Sequence, residues 1–210
     1  MNKPHRQGRA IQLLILAVTF GLISSWSWAE DREQWQQPER VLTDLHLPSG
    51  VHIADIGCGG GYFTFRLAQA AGPSGKVFAV DVSADALKSV RDRVQRERLK
   101  NIAVVQSAAT DTKLPAESLD VAFFCEVLHE MPAADRLPLI RDVVRALKPG
   151  GLLILIDWRK SHEITFDPYE KLIPREELVQ LGADAGLALD AEFHYLKYQV
   201  FFRFRKPPSK

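Results

Sequence analysis

Cysteine is scarce in this 210-residue chain: Cys58 and Cys125 are the only two, and they do not form a metal-type C-x-x-C pair. Net charge is also nearly absent. The formal value is +1, and Lys3, Arg6 and Arg9 lie ahead of the first acid, Glu30. Without residues 1–29 the 27 basic residues fall to 24 against 26 acids, which leaves no electrostatic case for nucleic-acid binding. Long apolar runs are missing too. The most apolar stretch, Ala10 to Ile23, falls short of the roughly 20 residues a membrane-spanning helix needs. There is no internal repeat and no low-complexity segment.

That N-terminal stretch has a pattern of its own. A basic region (Lys3, His5, Arg6, Arg9) precedes an uncharged segment that ends in Ser27 and Ala29, small residues at −3 and −1 of a cleavage site. Residues 1–29 therefore read as a secretory signal peptide. The alternative is an uncleaved N-terminal anchor, with Trp26 and Trp28 at a membrane interface. Either way residues 30–210, 46% hydrophobic over the whole chain, form one folded domain, expected in the periplasm or otherwise outside the cytoplasm.

Strand and helix signals alternate through the domain. Trp35, Val41, Leu42 and Leu45 suggest a first helix, stopped by Pro48 and Gly50 and placed to lid a cleft. Strands are expected at Val51 to Asp55, Lys76 to Asp81, Ile102 to Gln106, Leu119 to Cys125 and Leu152 to Asp157. Helices fall between them, over residues 62–71, after Ser83, and through Leu137, Ile140, Val144 and Leu147 with Pro138 in the first turn. This is βαβ order, which dictates a parallel sheet with right-handed crossovers. A helix from Pro174 to Gly186 follows. The runs Leu187 to Lys197 and Tyr198 to Arg205 then read as a hairpin with a tight junction, so the last strand is antiparallel. Four of the first five strands end at or beside an acid: Asp55, Asp81, Glu126 and Asp157. Ligands of open α/β sheets bind at those carboxyl ends.

The densest signal is VHIADIGCGGGYFTFRLA, Val51 to Ala68: a strand, a turn with glycine at 57, 59, 60 and 61, then a helix. Glycines there permit positive φ and close approach of a ligand, and the helix start offers unpaired N–H groups. A nucleoside-type cofactor suits such a turn. The dinucleotide register G-x-G-x-x-G fails, because its third glycine falls on Tyr62 or on Thr64.

With KVFAVDVS, AATDTKLPAESLD and LKPGG, this stretch resembles the class I methyltransferases that use S-adenosylmethionine, over roughly residues 35–206. WQQPERV at Trp35 and the run from Asp120 to Met131 are more narrowly similar to small, often exported bacterial methyltransferase-like proteins. The resemblance implies an α/β, Rossmann-like three-layer sandwich: a seven-stranded, mostly parallel sheet with the last strand inserted antiparallel. It also implies roles. Gly57, Gly59 and Gly61 let the backbone approach the methionine and ribose part of the cofactor, and Asp55 shapes the turn. Asp81 accepts from the ribose hydroxyls. Asp111 matches the acid that accepts from the adenine amino group, with Thr110 and Ala109 as alternatives in that loop.

Methyl transfer from a sulfonium is an in-line displacement with a neutral leaving group, so it needs positioning first, and a base only if the acceptor must lose a proton. Glu126 and His129, just after the fourth strand, are the candidates for groups facing the methyl, and Glu126 alternatively holds the methionine amino group. His162 is a further candidate. No metal site is expected, although Cys58, Cys125 and His129 have the chemistry for a soft metal. A Cys58–Cys125 disulfide is conceivable in an oxidising compartment. The chain has no aromatic cage pattern, no basic groove and no inserted substrate domain. A small-molecule acceptor is therefore expected, its pocket formed by the N-terminal helix, the loop after the fourth strand and residues 158–173. The competing expectation is a protein that binds the cofactor without turning it over.

Overall fold

A computed structural model describes residues 32–161 and 169–208. Residues 1–29, the stretch expected to be a signal peptide, and His162 lie outside them. Seven strands form a single sheet: β1 (His52–Ile56), β2 (Lys76–Asp81), β3 (Ile102–Gln106), β4 (Leu119–Cys125), β5 (Leu147–Trp158), β6 (Ala188–Phe193) and β7 (Gln199–Arg205). Their order is β3-β2-β1-β4-β5-β7-β6. Pairing is parallel from β3 to β5, and β7 runs antiparallel to both β5 and β6. The expected α/β architecture, with the last strand inserted antiparallel, is the one observed.

Strand alternation sends successive side chains to opposite faces, and here both faces are buried. Ile53, Val77, Phe123, Ile154 and Phe201 pack on one side with Val41, Leu67 and Leu87. Ala54, Val80, Phe124, Leu155 and Phe202 pack on the other with Ile140, Val143 and Leu178. The first layer thus holds α1 (Pro38–Leu45), α2 (Thr64–Ala71) and α3 (Ala84–Glu97), and the second holds α4 (Ala133–Ala146) and α5 (Arg175–Asp184). Strand order reverses at β1, with β2 on one flank and β4 on the other, so a crevice opens beyond their carboxyl ends.

Three sequence expectations need correction. The N-terminal helix is broken: residues 32–36 are helical, Gln37 turns left-handed (φ 46°), and α1 restarts at Pro38. Proline disfavours the right-handed helical region for the residue before it. α4 begins at Ala133, so Pro138 lies inside the helix rather than in its first turn. Its buried face is Leu139, Ile140, Val143 and Ala146, rotated from the expected one. Pro138 and Ala134, the residue four before it, are both exposed, so the carbonyl that loses its partner is on the solvent side. Finally, residues 194–198 separate β6 from β7 where a tight junction was expected. Leu196 leaves the strand path to become fully buried, and the Tyr195 ring packs T-shaped against Phe201.

Candidate functional site

The glycine turn is held by backbone first. The N–H groups of Gly57 and Cys58 both donate to the Val80 carbonyl, at 2.8 and 3.1 Å, which ties the turn to the end of β2. Gly57, Gly59 and Gly61 have φ of +68°, +52° and +88°, values that L side chains rarely adopt. A Cβ at Gly57 would lie 2.6 Å from Val127 Cγ2, and one at Gly61 would lie 2.6 Å from Phe65 Cε2. Gly59 has no such neighbour, so its φ is its one requirement.

Asp55 sits beneath this turn, buried, and accepts a 2.6 Å hydrogen bond from the Thr64 hydroxyl. Burial raises its pKa to about 7, against the Thr64 bond. Asp81 stands at the rim. One carboxylate oxygen accepts from the Gly59 N–H and the other from the Ser83 N–H, both at 2.8 Å. A carboxylate offers about four acceptor positions, so Asp81 retains capacity for a ligand's hydroxyls.

Two cavities meet at this point. The larger, about 370 Å³, is lined by Asp81, Val82, Ser107, Ala108, Ala109 and Met131 among others. The smaller, about 200 Å³, is lined by Arg32, Asp55, Gly59, Tyr62, Phe63 and Cys125 among others. Gly57 and Glu126 belong to both walls.

Glu126 owes its position to strained backbone and distant partners. Its φ is +61°, and its N–H donates to the Ile156 carbonyl. Oε1 accepts from Gln36 Nε2 (3.0 Å) and Gln199 Nε2 (2.8 Å), and Oε2 from Arg32 Nη2 (3.2 Å). Burial raises its pKa, and the Arg32 charge opposes the shift.

His129 is placed differently. It lies in a 3₁₀ turn, Leu128–Glu130, with its side chain 3% exposed, and it lines neither cavity. Its Nδ1 is 2.6 Å from Asp157 Oδ1. An ionised carboxylate only accepts, so the bond puts a proton on Nδ1. The same carboxylate accepts from the N–H groups of Leu128 (3.0 Å), His129 (3.3 Å) and Trp158 (2.8 Å). Asp157 thus organises the loop after β4, and His129 is one of the groups it holds.

Asp111 is exposed and turned onto its own loop. It accepts from the Lys113 N–H at 2.9 Å and pairs with the Lys113 ammonium, which lowers its pKa. It does not line the larger cavity, whereas its neighbours Ala109 and Thr112 do. Thr112 is anchored from α4, where Asp142 Oδ2 accepts from its N–H (2.8 Å) and its hydroxyl (2.6 Å). Cys58 and Cys125 are free thiols, and burial raises both pKa values. Among the described residues no group of three His, Cys, Asp or Glu side chains is arranged to hold a metal ion.

Sequence reasoning missed Arg32, Gln36, Gln199 and the orienting role of Asp157. Gln36 lies within WQQPERV and carried a signal. Gln199 had none: only its register opposite Trp158 on β5 brings it to Glu126.

Comparison with known proteins places this geometry. Residues 53–151 match the family model of a methyltransferase domain. A solved S-adenosylmethionine-dependent methyltransferase from Aquifex aeolicus superposes with a TM-score of 0.77 at 27% identity, over 83% of this chain and 92% of that one. Residues 53–151 thus resemble a methyltransferase domain, set in a fold shared with an S-adenosylmethionine-dependent methyltransferase. Among curated relatives, the demethylmenaquinone methyltransferase of Lactococcus lactis is 35% identical over 109 residues, 52% of this chain and 42% of the relative. This chain spans about half the length of the curated relatives it matches. Geranyl diphosphate C-methyltransferase from Streptomyces coelicolor, solved with S-adenosyl-L-homocysteine, shares the methyltransferase fold at 16% identity and a TM-score of 0.69, over 84% of this chain and 81% of that one. The site here fits S-adenosylmethionine by its own donors and acceptors. Asp81 has spare acceptor capacity beside the larger cavity, and Glu126, Asp55 and Arg32 put both charge signs around the smaller.

Proposed function

We propose that this chain binds S-adenosylmethionine across the Gly57 turn and transfers its methyl group to a small-molecule acceptor. The observation that carries the reading is the shared wall. An adenosine-sized half and an amino-acid-sized half would occupy adjoining cavities and meet at Gly57 and Glu126. The cofactor supplies an activated methyl group on a cationic sulfur. The chain supplies position and field. Asp81 accepts from the ribose hydroxyls, and the backbone at Ala108 and Ala109 borders the base. The Glu126 carboxylate, held by Gln36, Gln199 and Arg32, favours positive charge where the two halves join. His129, fixed by Asp157, acts on the reaction by holding the loop that carries Glu126, not by touching the acceptor.

Calorimetry on the full chain should show binding of S-adenosylmethionine and S-adenosylhomocysteine and none of NAD. A labelled methyl group should then pass to a metabolite pool, with demethylmenaquinone, named for the curated relatives, among the first acceptors assayed. Binding without methyl loss to any pool would make this a cofactor-binding protein, and absence of binding would remove the reading altogether. We also propose that residues 1–29 direct export. Mass spectrometry of the protein from its host should find an N-terminus at Glu30, and a chain beginning at Met1 or Asn2 would exclude cleavage.

A further inference from the structure

We propose that Glu130 is the residue that recognises the methyl acceptor, and that the acceptor meets it with an amine or a hydroxyl carried on an apolar body. This rests on the methyl-transfer reading above and names the substrate class of that same site.

Among the described residues the larger cavity is walled by three carboxylates, Asp81, Glu126 and Glu130, and by no cationic side chain. Asp81 and Glu126 are assigned to the cofactor. Glu130 has no such role, and its neighbours along the wall are Val127, Met131 and Pro132. It also stands where two parts of the expected acceptor pocket meet. Glu130 closes the 3₁₀ turn after β4, and its Oε2 accepts from Lys171 Nζ at 3.0 Å. Lys171 closes the 3₁₀ turn Tyr169–Lys171 beyond β5. The Asp157–His129 bond, 2.6 Å, anchors the Glu130 turn from β5.

The carboxylate is set to accept. The Lys171 hydrogen bond holds its carboxyl below the usual range, so it is ionised near neutral pH and offers only lone pairs. Oε1 lies 3.5 Å from His129 Nε2, longer than an ordinary N–H···O hydrogen bond, and keeps acceptor positions for a ligand. The Glu130 and Lys171 side chains are 53% and 45% exposed. A pair exposed to that degree contributes little, so an acceptor can displace the ammonium or bind beside it. An N–H or O–H gains a charge-assisted hydrogen bond there. A carboxylate or phosphate meets like charge and is turned away.

In transfer, a lone pair on the acceptor nitrogen or oxygen forms the bond to the methyl carbon. The carbon–sulfur bond breaks and leaves its electron pair on sulfur. The acceptor's proton passes along its hydrogen bond to Glu130 and from there to water.

The test follows a labelled methyl group from S-adenosylmethionine into an extract of the host, with products separated by charge. An amine product falls in the cationic fraction and a hydroxyl product in the neutral one, and label is expected in one of these. Glu130→Gln keeps the shape and loses the charge. It should lower that transfer roughly 10- to 100-fold, while S-adenosylhomocysteine affinity by calorimetry stays within about twofold. Lys171→Ala removes a competitor for Glu130 and should hold transfer at or above the unaltered level. Equal losses in the two variants would make the pair a latch between segments and overturn the proposal. Full transfer by Glu130→Gln, or label confined to the anionic fraction, would overturn it too. Binding of S-adenosylhomocysteine with no label in any fraction would remove the acceptor site and leave the cofactor site standing. Absence of binding would remove both.

Discussion

On one wall of the cleft, Asp81 is held by backbone N–H groups 2 and 22 residues away in sequence. On the other, Glu126 is held by side chains 73, 90 and 94 residues away. The β1–β2 wall is a local structure whose glycines, strand ends and acid follow one another along the chain. The β4 wall is assembled by the sheet, because inserting β7 beside β5 brings Gln199 opposite Trp158. One wall should thus fail through its backbone and the other through its side-chain partners.

The largest effect is expected at Asp157. Its carboxylate gathers three backbone N–H groups and the His129 ring, all buried. Asp157→Ala strands those donors, at a cost of roughly 3–5 kcal/mol. Chemical denaturation should show it, and the Glu126 side of the site should lose order with it. A loss under 1 kcal/mol would mean that the loop after β4 holds itself, and the contrast between the walls would disappear.

On the glycine wall, Gly57→Ala meets both Val127 and a positive φ. The two together should cost about 2–4 kcal/mol and abolish cofactor binding. Gly60→Ala is the control. Gly60 has neither positive φ nor any atom within 4 Å of a Cβ, so its stability should stay within about 0.5 kcal/mol. Equal losses at the two positions would show that the turn is sensitive to any side chain, not to geometry.

Asp55 separates the walls by pH. Its carboxyl holds a proton up to about pH 7 in the fold and gives it up near 3.8 when exposed. Between those values the folded state binds more protons than the unfolded state, so stability falls as pH rises and then levels off above 7. Asp55→Asn, which cannot ionise, should match the unaltered protein near pH 4 and exceed it by about 2–4 kcal/mol at pH 8. Melting curves at the two pH values decide it. A constant difference would mean that Asp55 is ionised throughout.

These differences in construction explain what could be read from the chain. The sheet, its βαβ order and the antiparallel β7 were legible, because two-residue and helical periodicities act within single elements. The glycine turn was legible for the same reason. The break at Gln37 was written in Pro38 and overlooked. The Glu126 cluster could not be read: nothing near Gln199 or Arg32 marks either as a partner of the residue that follows β4. His129 shows the remaining difficulty. Its position after a strand end was apparent, but whether its ring faced the cleft or Asp157 depended on β5.

The smallest expected effect is at Asp111, where the family resemblance and the geometry diverge. By position in the chain Asp111 matches the adenine-facing acid. In the fold its carboxylate caps Lys113 and is open to solvent, while Ala109 and Thr112 line the cavity. An exposed pair of this kind contributes little to the fold. If the geometry governs, Asp111→Ala should leave S-adenosylhomocysteine affinity within about twofold of the unaltered chain, because water competes with any contact such a group makes. Asp142→Ala, which releases Thr112 and with it the loop, should weaken binding more. A tenfold loss at Asp111 with none at Asp142 would show that the carboxylate leaves Lys113 when the base arrives. The loop would then be set by its ligand, and this part of the larger cavity would have been assembled only in the complex.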